Sequence, residues 1–325
     1  LERLTKYNYA RFRAFRTYVF PILKKEKISI LHTRQPLDLF RVGYEARQLF
    51  GLPWVTEAHK LLSQTDYEQG RITKRKFQRL LKTEVDLINL SDLVVTMTPS
   101  GVATLKRFGV QKPILPVANA SAINDDKRLW YPFHFEKWKK YILYAGNIRD
   151  VESVDELLKS FAIVLQQEPD ARLIVIGSGN LKPLKKLAKL LGVDREVSFL
   201  GEVPFEKMSY FYRHAMIFAH ARPAVTYHKD IIGLKFYDAL RCGMPLVVSD
   251  VGEFGMWVRK KKLGLLFPAG NTKLFASAIV RLLQDRCLYF AIRRNIKRIG
   301  RNLLWSRTCK QLNDQYFRLV KRRII

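Results

Sequence analysis

Asp230-Ile-Ile-Gly-Leu-Lys-Phe-Tyr-Asp238, running on through Ala-Leu-Arg-Cys-Gly243-Met-Pro245-Leu-Val-Val-Ser-Asp250, decides the fold. Two carboxylates lie eight residues apart, with Gly233 between them where a helix would begin. A Gly-x-Pro turn and a buried-type strand follow. A loop entering a helix N-terminus offers backbone N–H groups and a positive dipole end, both suited to a diphosphate. A carboxylate one turn further on, Asp238, is placed to accept both hydroxyls of a ribose. Asp230, in the preceding loop, is placed to accept hydroxyls of a second ring. The spacing reads as a grip on a nucleotide sugar; the plain alternative is a surface Asp ahead of an ordinary amphipathic helix.

The flanking sequence supplies a scaffold for that grip. Lys140–Gly146 is a short apolar run with a tight exit, and Ser153–Ala162 has helical spacing. Arg172–Asn180 reads as a buried strand followed by a helix over Leu181–Leu191. Val197–Leu200, Met216–Ala219 and Pro245–Ser249 are further short strands. The N-terminal half repeats the alternation. Ile28–Pro36 is a strand and turn, and Leu37–Phe50 a helix ending at Gly51. Pro53–His59 is a strand finishing in Glu57 and His59; Leu80–Ser91 is a helix, and Asp92–Ser100 a strand and turn. Strands alternating with helices of about ten residues mean parallel sheets covered on both faces. Ligands in such sheets sit beyond the strand C-terminal ends, where Glu57 and His59 fall.

The paired acids resemble the Glu, seven residues, Glu motif of retaining glycosyltransferases with the GT-B fold, the glycogen-synthase-like and family 4 group. Other blocks match in order. Ile176-Gly-Ser-Gly179 resembles the family's Gly-x-Gly turn. Phe199-Leu-Gly201-Glu-Val203 resembles the loop whose backbone reads the base, and Gly264-Leu-Leu-Phe-Pro268-Ala-Gly270 its late turn. Glu57-Ala-His59 resembles its Glu-x-His, and Pro113–Ser121 takes the place of its Pro-Asn-Gly-Val-Asp segment, with Ala120 for Gly. The resemblance covers roughly residues 28–325. It implies an α/β chain of two Rossmann-like, doubly wound parallel-sheet domains facing a cleft, the first domain incomplete. The implied domains are 1–136, 137–304 and a C-terminal helix, 305–325, returning to the first domain, with Trp130–Trp138 as the junction.

The resemblance implies a nucleoside-diphosphate sugar as co-substrate, a saccharide or lipid-linked saccharide acceptor, and no metal or other cofactor. It implies retention by same-face attack without a protein nucleophile. Catalytic roles fall to His59, Asp230 and Lys235. Donor contacts fall to Asp238, Gly233, Leu234, Arg149, Gly146, Asn147, Gly201 and Val203. Glu57, Asn119, Arg222 and His228 are expected to line the cleft. His32, His134 and His214 read as structural, and His220 as structural or on the donor side. Three departures stand out. Asp replaces Glu at 230 and 238, shortening the reach by one methylene. The family's phosphate-binding Arg and Lys positions hold Asn147 and Glu152, leaving Arg149 and Lys235 to meet the diphosphate. No Gly-rich turn precedes Ile28: a fragment lacking the first units of its domain is the favoured reading, and a reduced N-terminal domain the alternative.

The formal charge is +29, from 58 basic and 29 acidic residues. The excess is concentrated. Arg3–Lys27 holds eight basic residues and one acid, Arg71–Lys82 six and none, and Arg286–Arg323 twelve and one. Arg11, Arg13 and Arg16 interleave with Phe12, Phe15 and Tyr18, a pattern able to lie among anionic headgroups. Core packing is the plain alternative for that aromatic stripe. Membrane-surface association at the cytoplasmic face is the favoured reading. Nucleic acid is the disfavoured partner, since no zinc, helix-turn-helix or RNA-binding signature accompanies the charge. Cys242, Cys287 and Cys309 have no ligand spacing and fit a reducing compartment. A non-catalytic relative, keeping the fold as a binding subunit, is the rival to an enzyme.

Overall fold

The computed structural model describes residues 9–123, 140–148, 152–225, 229–300 and 302–324. Arg149, His134, His228 and the Trp130–Trp138 junction lie outside the described residues. The chain divides into two compact units, residues 1–118 with 308–325, and residues 119–307.

In the first unit, α1 (Tyr9–Lys25) leads to β1 (Leu31–Arg34), α2 (Leu37–Phe50) and β2 (Trp54–Glu57). Helices α3 (Leu62–Glu68) and α4 (Lys74–Ile88) precede β3 (Leu93–Thr96), α5 (Pro99–Arg107) and β4 (Ile114–Pro116). The four strands are parallel in the order β1-β2-β3-β4. Strand β3 is buried throughout, as expected for a strand covered on both faces. One cover is the C-terminal helix Lys310–Ile324, whose Leu312, Tyr316 and Leu319 pack on Val55, Leu93 and Val95. Helix α4 begins six residues before the sequence-based start at Leu80. Thr73 caps it by accepting from the Lys76 amide at 3.4 Å, so the basic run from Lys74 to Lys82 is helical. In α1, Phe12 and Phe20 pack against Val42 and Ala46 of α2, while Tyr18 is exposed. Apolar packing between helices therefore accounts for Phe12.

The second unit runs β5 (Tyr141–Ala145), α6 (Val154–Gln167), β6 (Arg172–Ile176), α7 (Lys182–Leu190) and β7 (Val197–Gly201). It continues with α8 (Phe205–His214), β8 (Ile217–His220), α9 (Leu234–Arg241), β9 (Leu246–Ser249) and α10 (Gly252–Lys261). It closes with β10 (Gly264–Phe267), α11 (Thr272–Gln284) and α12 (Arg286–Gly300). All six strands are parallel, in the order β10-β9-β8-β5-β6-β7. Strands β5, β8 and β9 are buried at every position, which is why they read as unbroken apolar runs. Of the two side-chain polar groups this buries on β5, the Tyr141 hydroxyl donates to Phe211 O at 2.7 Å. On α6, Val154, Leu157, Leu158, Phe161 and Val164 form the buried stripe. The chain leaves β5 towards β6 on one side and later returns beside it as β8. That reversal opens a crevice at the strand C-terminal ends, the usual ligand position in such sheets.

Candidate functional site

The crevice beyond β5 is built from two glycine turns in close contact. Gly177, at the end of β6, has φ 154°, and a Cβ there would collide with the Gly146 carbonyl, a backbone group unable to give way. A Cβ on Gly146 would in turn meet the Lys235 ammonium. Absence of side chains at both turns lets the β5 and β6 exits close up with Lys235 laid across them. Tyr144 Oη donates to Asn147 O at 2.8 Å, and the Ile148 amide donates to Ser178 O at 2.8 Å, fixing the turn. A cavity of about 230 Å³ results, lined by Gly146, Asn147, Ser178, Val203, Lys235 and Asp238 among others. Five residues singled out in the sequence thus share one cavity. Gly201 ends β7 beside it, its carbonyl accepting from the Gly177 amide at 2.8 Å.

Helix α9 enters from the opposite side. Gly233 is its N-cap, in extended conformation, and among the described residues no side chain caps it. Its N-terminal dipole end is therefore left to a ligand or solvent. Leu234 is exposed at the first turn. Two residues tie down the approaching loop. Asn119 Nδ2 donates to Ile232 O at 3.2 Å. Buried Arg222 donates to Ile231 O at 3.0 Å, with its guanidinium 5.0 Å from the Phe236 ring centre. Asp230 is half-buried in the turn before α9 and does not line the cavity.

Asp238 is buried on α9 and accepts from Ser121 Oγ at 2.7 Å and from the Ala122 amide. Burial pushes its carboxyl up to about 6, with those two hydrogen bonds pulling the other way. Ser121 gave no sequence signal.

Lys235 carries a second surprise. Its Nζ lies 2.8 Å from Glu152 Oε2 and 5.6 Å from the centre of the Tyr144 ring. Glu152 also approaches His220, with Nε2 at 3.0 Å. His220 is fully buried, stacked on Tyr144 at 5.1 Å between ring centres. Burial, then the Lys235 charge, depresses it to about 3, against the opposing effect of Glu152. Burial raises the Glu152 carboxyl, but His220 and Lys235 outweigh it and hold it below the usual carboxylate range. At neutral pH the cluster is Lys⁺, Glu⁻ and neutral His. Ser153, next to Glu152, is left-handed at φ 46°, a strained conformation for a residue with a Cβ.

The first unit holds its own cluster at the ends of β1 and β2. Glu57 contacts His59 Nε2 directly, His32 Nε2 at 3.4 Å and Arg34 Nε at 3.6 Å. Arg34 also lies 3.1 Å from His59 Nδ1, and the Tyr316 hydroxyl meets His32 Nδ1. Burial raises the Glu57 carboxyl, and the two histidines more than reverse this, leaving it below the usual range. Burial, then the Glu57 charge, pushes the Tyr316 phenol up to about 12. His32, read as structural from sequence, is thus a partner of Glu57. Among the described residues no cluster of three or more His, Cys, Asp or Glu has metal-holding geometry, and no helix is long and apolar enough to cross a membrane.

Fold and site together define a glycosyltransferase-type chain of two Rossmann-like parallel-sheet domains, the GT-B architecture. A glycosyl transferases group 1 family model matches residues 132–303, and a glycosyltransferase family 4 model matches residues 2–120; the chain belongs to the glycosyl transferases group 1 family. It is similar to the D-inositol 3-phosphate glycosyltransferase of Corynebacterium efficiens, 26% identical over 298 residues, 85% of this chain and 68% of the relative. The Rhodococcus erythropolis enzyme of the same name is 25% identical over 304 residues, 89% of this chain and 67% of the relative. Among solved structures, sucrose-phosphate synthase from Thermosynechococcus elongatus superposes with TM-score 0.74 at 20% identity, covering 96% of this chain and 78% of its own. Anabaena HepE, in complex with UDP and glucose, superposes with TM-score 0.72 at 17% identity, covering 91% of this chain and 80% of its own. At these identities the structural likeness concerns the fold.

Proposed function

We propose that the chain is a retaining glycosyltransferase that moves a sugar from a nucleoside-diphosphate donor to a saccharide or lipid-linked saccharide acceptor. The observation that carries this is the convergence of Lys235, Asp238 and the Gly146–Asn147 turn on one cavity at the β5/β8 reversal. In the proposed roles, Asp238 accepts from the ribose diol and Asp230 from hydroxyls of the transferred sugar. Val203 and Gly201 present backbone to the base. The Gly233 and Leu234 amides, with Lys235, face the diphosphate as it gains charge, which stabilises the transition state electrostatically. The C1–O bond to phosphate breaks as the acceptor oxygen bonds C1 on the same face, and the acceptor proton passes to the departing diphosphate. Glu57 and His59 supply the first unit's contribution, contacting acceptor and donor sugar. Arg149 and His228 keep the donor-side roles their positions imply. No metal takes part in this scheme, so activity is expected to persist in EDTA. The family and the nucleotide bound by HepE support the donor class. The abundant cations support work at an anionic membrane surface.

Glu152 marks how this site departs from the family pattern. A carboxylate stands where a phosphate-binding Lys is usual, and the cation sits instead on α9. The charge has moved from loop to helix, where it pairs with Glu152. That same ion pair favours the second reading, a binding subunit without turnover. Incubation with UDP-, GDP- and ADP-sugars separates the two. Release of nucleoside diphosphate from one donor, lost in Asp238→Ala, is the expected result. Binding without release, with or without added saccharide acceptors, would replace the enzyme reading by the second one.

A further inference from the structure

A cavity of about 830 Å³ lies away from the donor site. Helix α9 links the two. Its first turn faces the donor cavity, and its C-terminal end, Leu240–Gly243, walls the second one. The two cavities share no lining residue, and eight helical residues at 1.5 Å each put roughly 12 Å between the ends of α9. The facing wall is α12. Arg286, Phe290, Arg293, Arg294 and Lys297 recur at helical spacing and present one face to the hollow. With Arg241, five cations line it, and among the described residues no carboxylate does.

Arg286, Arg293, Arg294 and Lys297 are exposed, and what sets this face apart is its lack of counter-charge. Among the described residues, no carboxylate pairs with Arg286, Arg294 or Lys297. The nearest acid in sequence, Asp285, is engaged in capping the Leu288 amide at 2.8 Å. Arg293 is held in place, donating to Gly243 O at 3.2 Å with its guanidinium 5.7 Å from the Tyr289 ring centre. Like charges gathered in a concavity repel one another and focus a positive potential into it. Guanidinium forks suit phosphate oxygens bidentately. Half-exposed Phe290 and buried Leu240 add apolar surface, and the volume falls within the range of ligand pockets.

We propose that this α9–α12 hollow is a second ligand site, which takes a compact polyanion carrying more than one phosphate group. The inference does not rest on the donor reading, since no donor-cavity residue enters it. Two sources share the chemistry, a soluble polyphosphate or polyphosphorylated metabolite and the headgroups of an anionic lipid layer.

Cys287 is exposed and lines the hollow, so its alkylation reports occupancy at this site and not at the donor cavity. The full chain is treated with iodoacetamide, and labelling of Cys287 and Cys309 is resolved by mass spectrometry. Inorganic tripolyphosphate is the soluble probe. Phosphatidylcholine vesicles with and without phosphatidylglycerol are the surface probe. Saturating anion is expected to slow Cys287 labelling at least fivefold, to leave Cys309 unchanged, and to lose its effect as salt is added. Protection by tripolyphosphate alone assigns a soluble source, and protection by phosphatidylglycerol vesicles assigns headgroups. The combined variant R286E/R294E/K297E should abolish protection. K185E/K186E/K189E, the same charge change on the exposed face of α7, should retain it, as should Lys235→Ala. Failure of both probes to slow Cys287, or equal loss in the α7 variant, would overturn the proposal in favour of diffuse attraction to a basic protein.

Discussion

Each unit sets a glutamate at the end of its parallel sheet between basic partners, but the two settings differ in access. Glu152 faces fully buried His220 and the largely covered Lys235, and the imidazole is held neutral. Glu57 faces His32, His59 and Arg34 at an open strand end, where Arg34 is 64% exposed. Sealing makes the first cluster a fixed counter-ion arrangement, able to tune one cation. In the second, Arg34 is the widely exposed member that a bound molecule can reach, while His59, 12% exposed, is as covered as Lys235. The same residue type therefore sits in a covered ion pair in one unit and beside a widely exposed arginine in the other.

The sharpest way to break that contrast is His59→Ala. Loss of the polar group to which the proposed scheme gives the acceptor contact should lower turnover by about a hundredfold, about 3 kcal/mol of barrier, with nucleotide affinity unchanged. Steady-state rates beside calorimetric affinities check this, and a parallel fall in affinity would end the division of labour.

Glu152→Gln should do the reverse. With its counter-charge gone, Lys235 should bind nucleoside diphosphate about tenfold tighter, while the ligand-free protein loses about 1 kcal/mol of stability. Weaker nucleotide binding would mean that Glu152 serves to position Lys235 and does not compete with phosphate.

Acidity gives a third test. Asp238 has its folded pKa raised from 3.8 to about 6, so its contribution to stability is present below pH 3.8 and is lost as pH rises through about 6. The ionised carboxylate is the one a ribose diol needs, so nucleotide affinity should rise about tenfold between pH 5 and 7. Asp238→Asn should flatten both slopes, read by urea unfolding and calorimetry across that range. His220 has the opposite sign. Depressed from 6.5 to about 3, it contributes stability above pH 6.5 that is lost on acidification through about 3.

The smallest effect concerns backbone alone. Ser153→Gly should relieve the left-handed strain beside Glu152 and raise stability by about 1 kcal/mol, seen in the urea midpoint, without changing nucleotide affinity.

How much of this was legible in the sequence follows the range of the forces involved. Strands β5, β8 and β9 of the second unit are buried on both faces and show as apolar runs. The α9 motif is local, so Gly233, Lys235 and Asp238 fall where their spacing puts them. The partners were not legible. Ser121 meets Asp238 from 117 positions away, Glu152 meets Lys235 from 83, and Tyr316 meets His32 from 284. No periodicity encodes such pairings, because packing of whole elements brings them together. The α1 aromatics illustrate the converse. Alternation of Arg with Phe12 and Phe15 resembles a headgroup-facing pattern, yet a neighbouring helix, α2, offered Val42 and Ala46 as apolar cover for Phe12.

The donor site carries the account, and calorimetric titration of UDP, GDP and ADP into the intact chain and into Asp238→Ala tests it most directly. Micromolar binding of one nucleotide, weakened about tenfold or more in the variant as expected for losing a charged hydrogen-bond acceptor, is the predicted result. Binding of none of the three, or binding indifferent to Asp238, would contradict it.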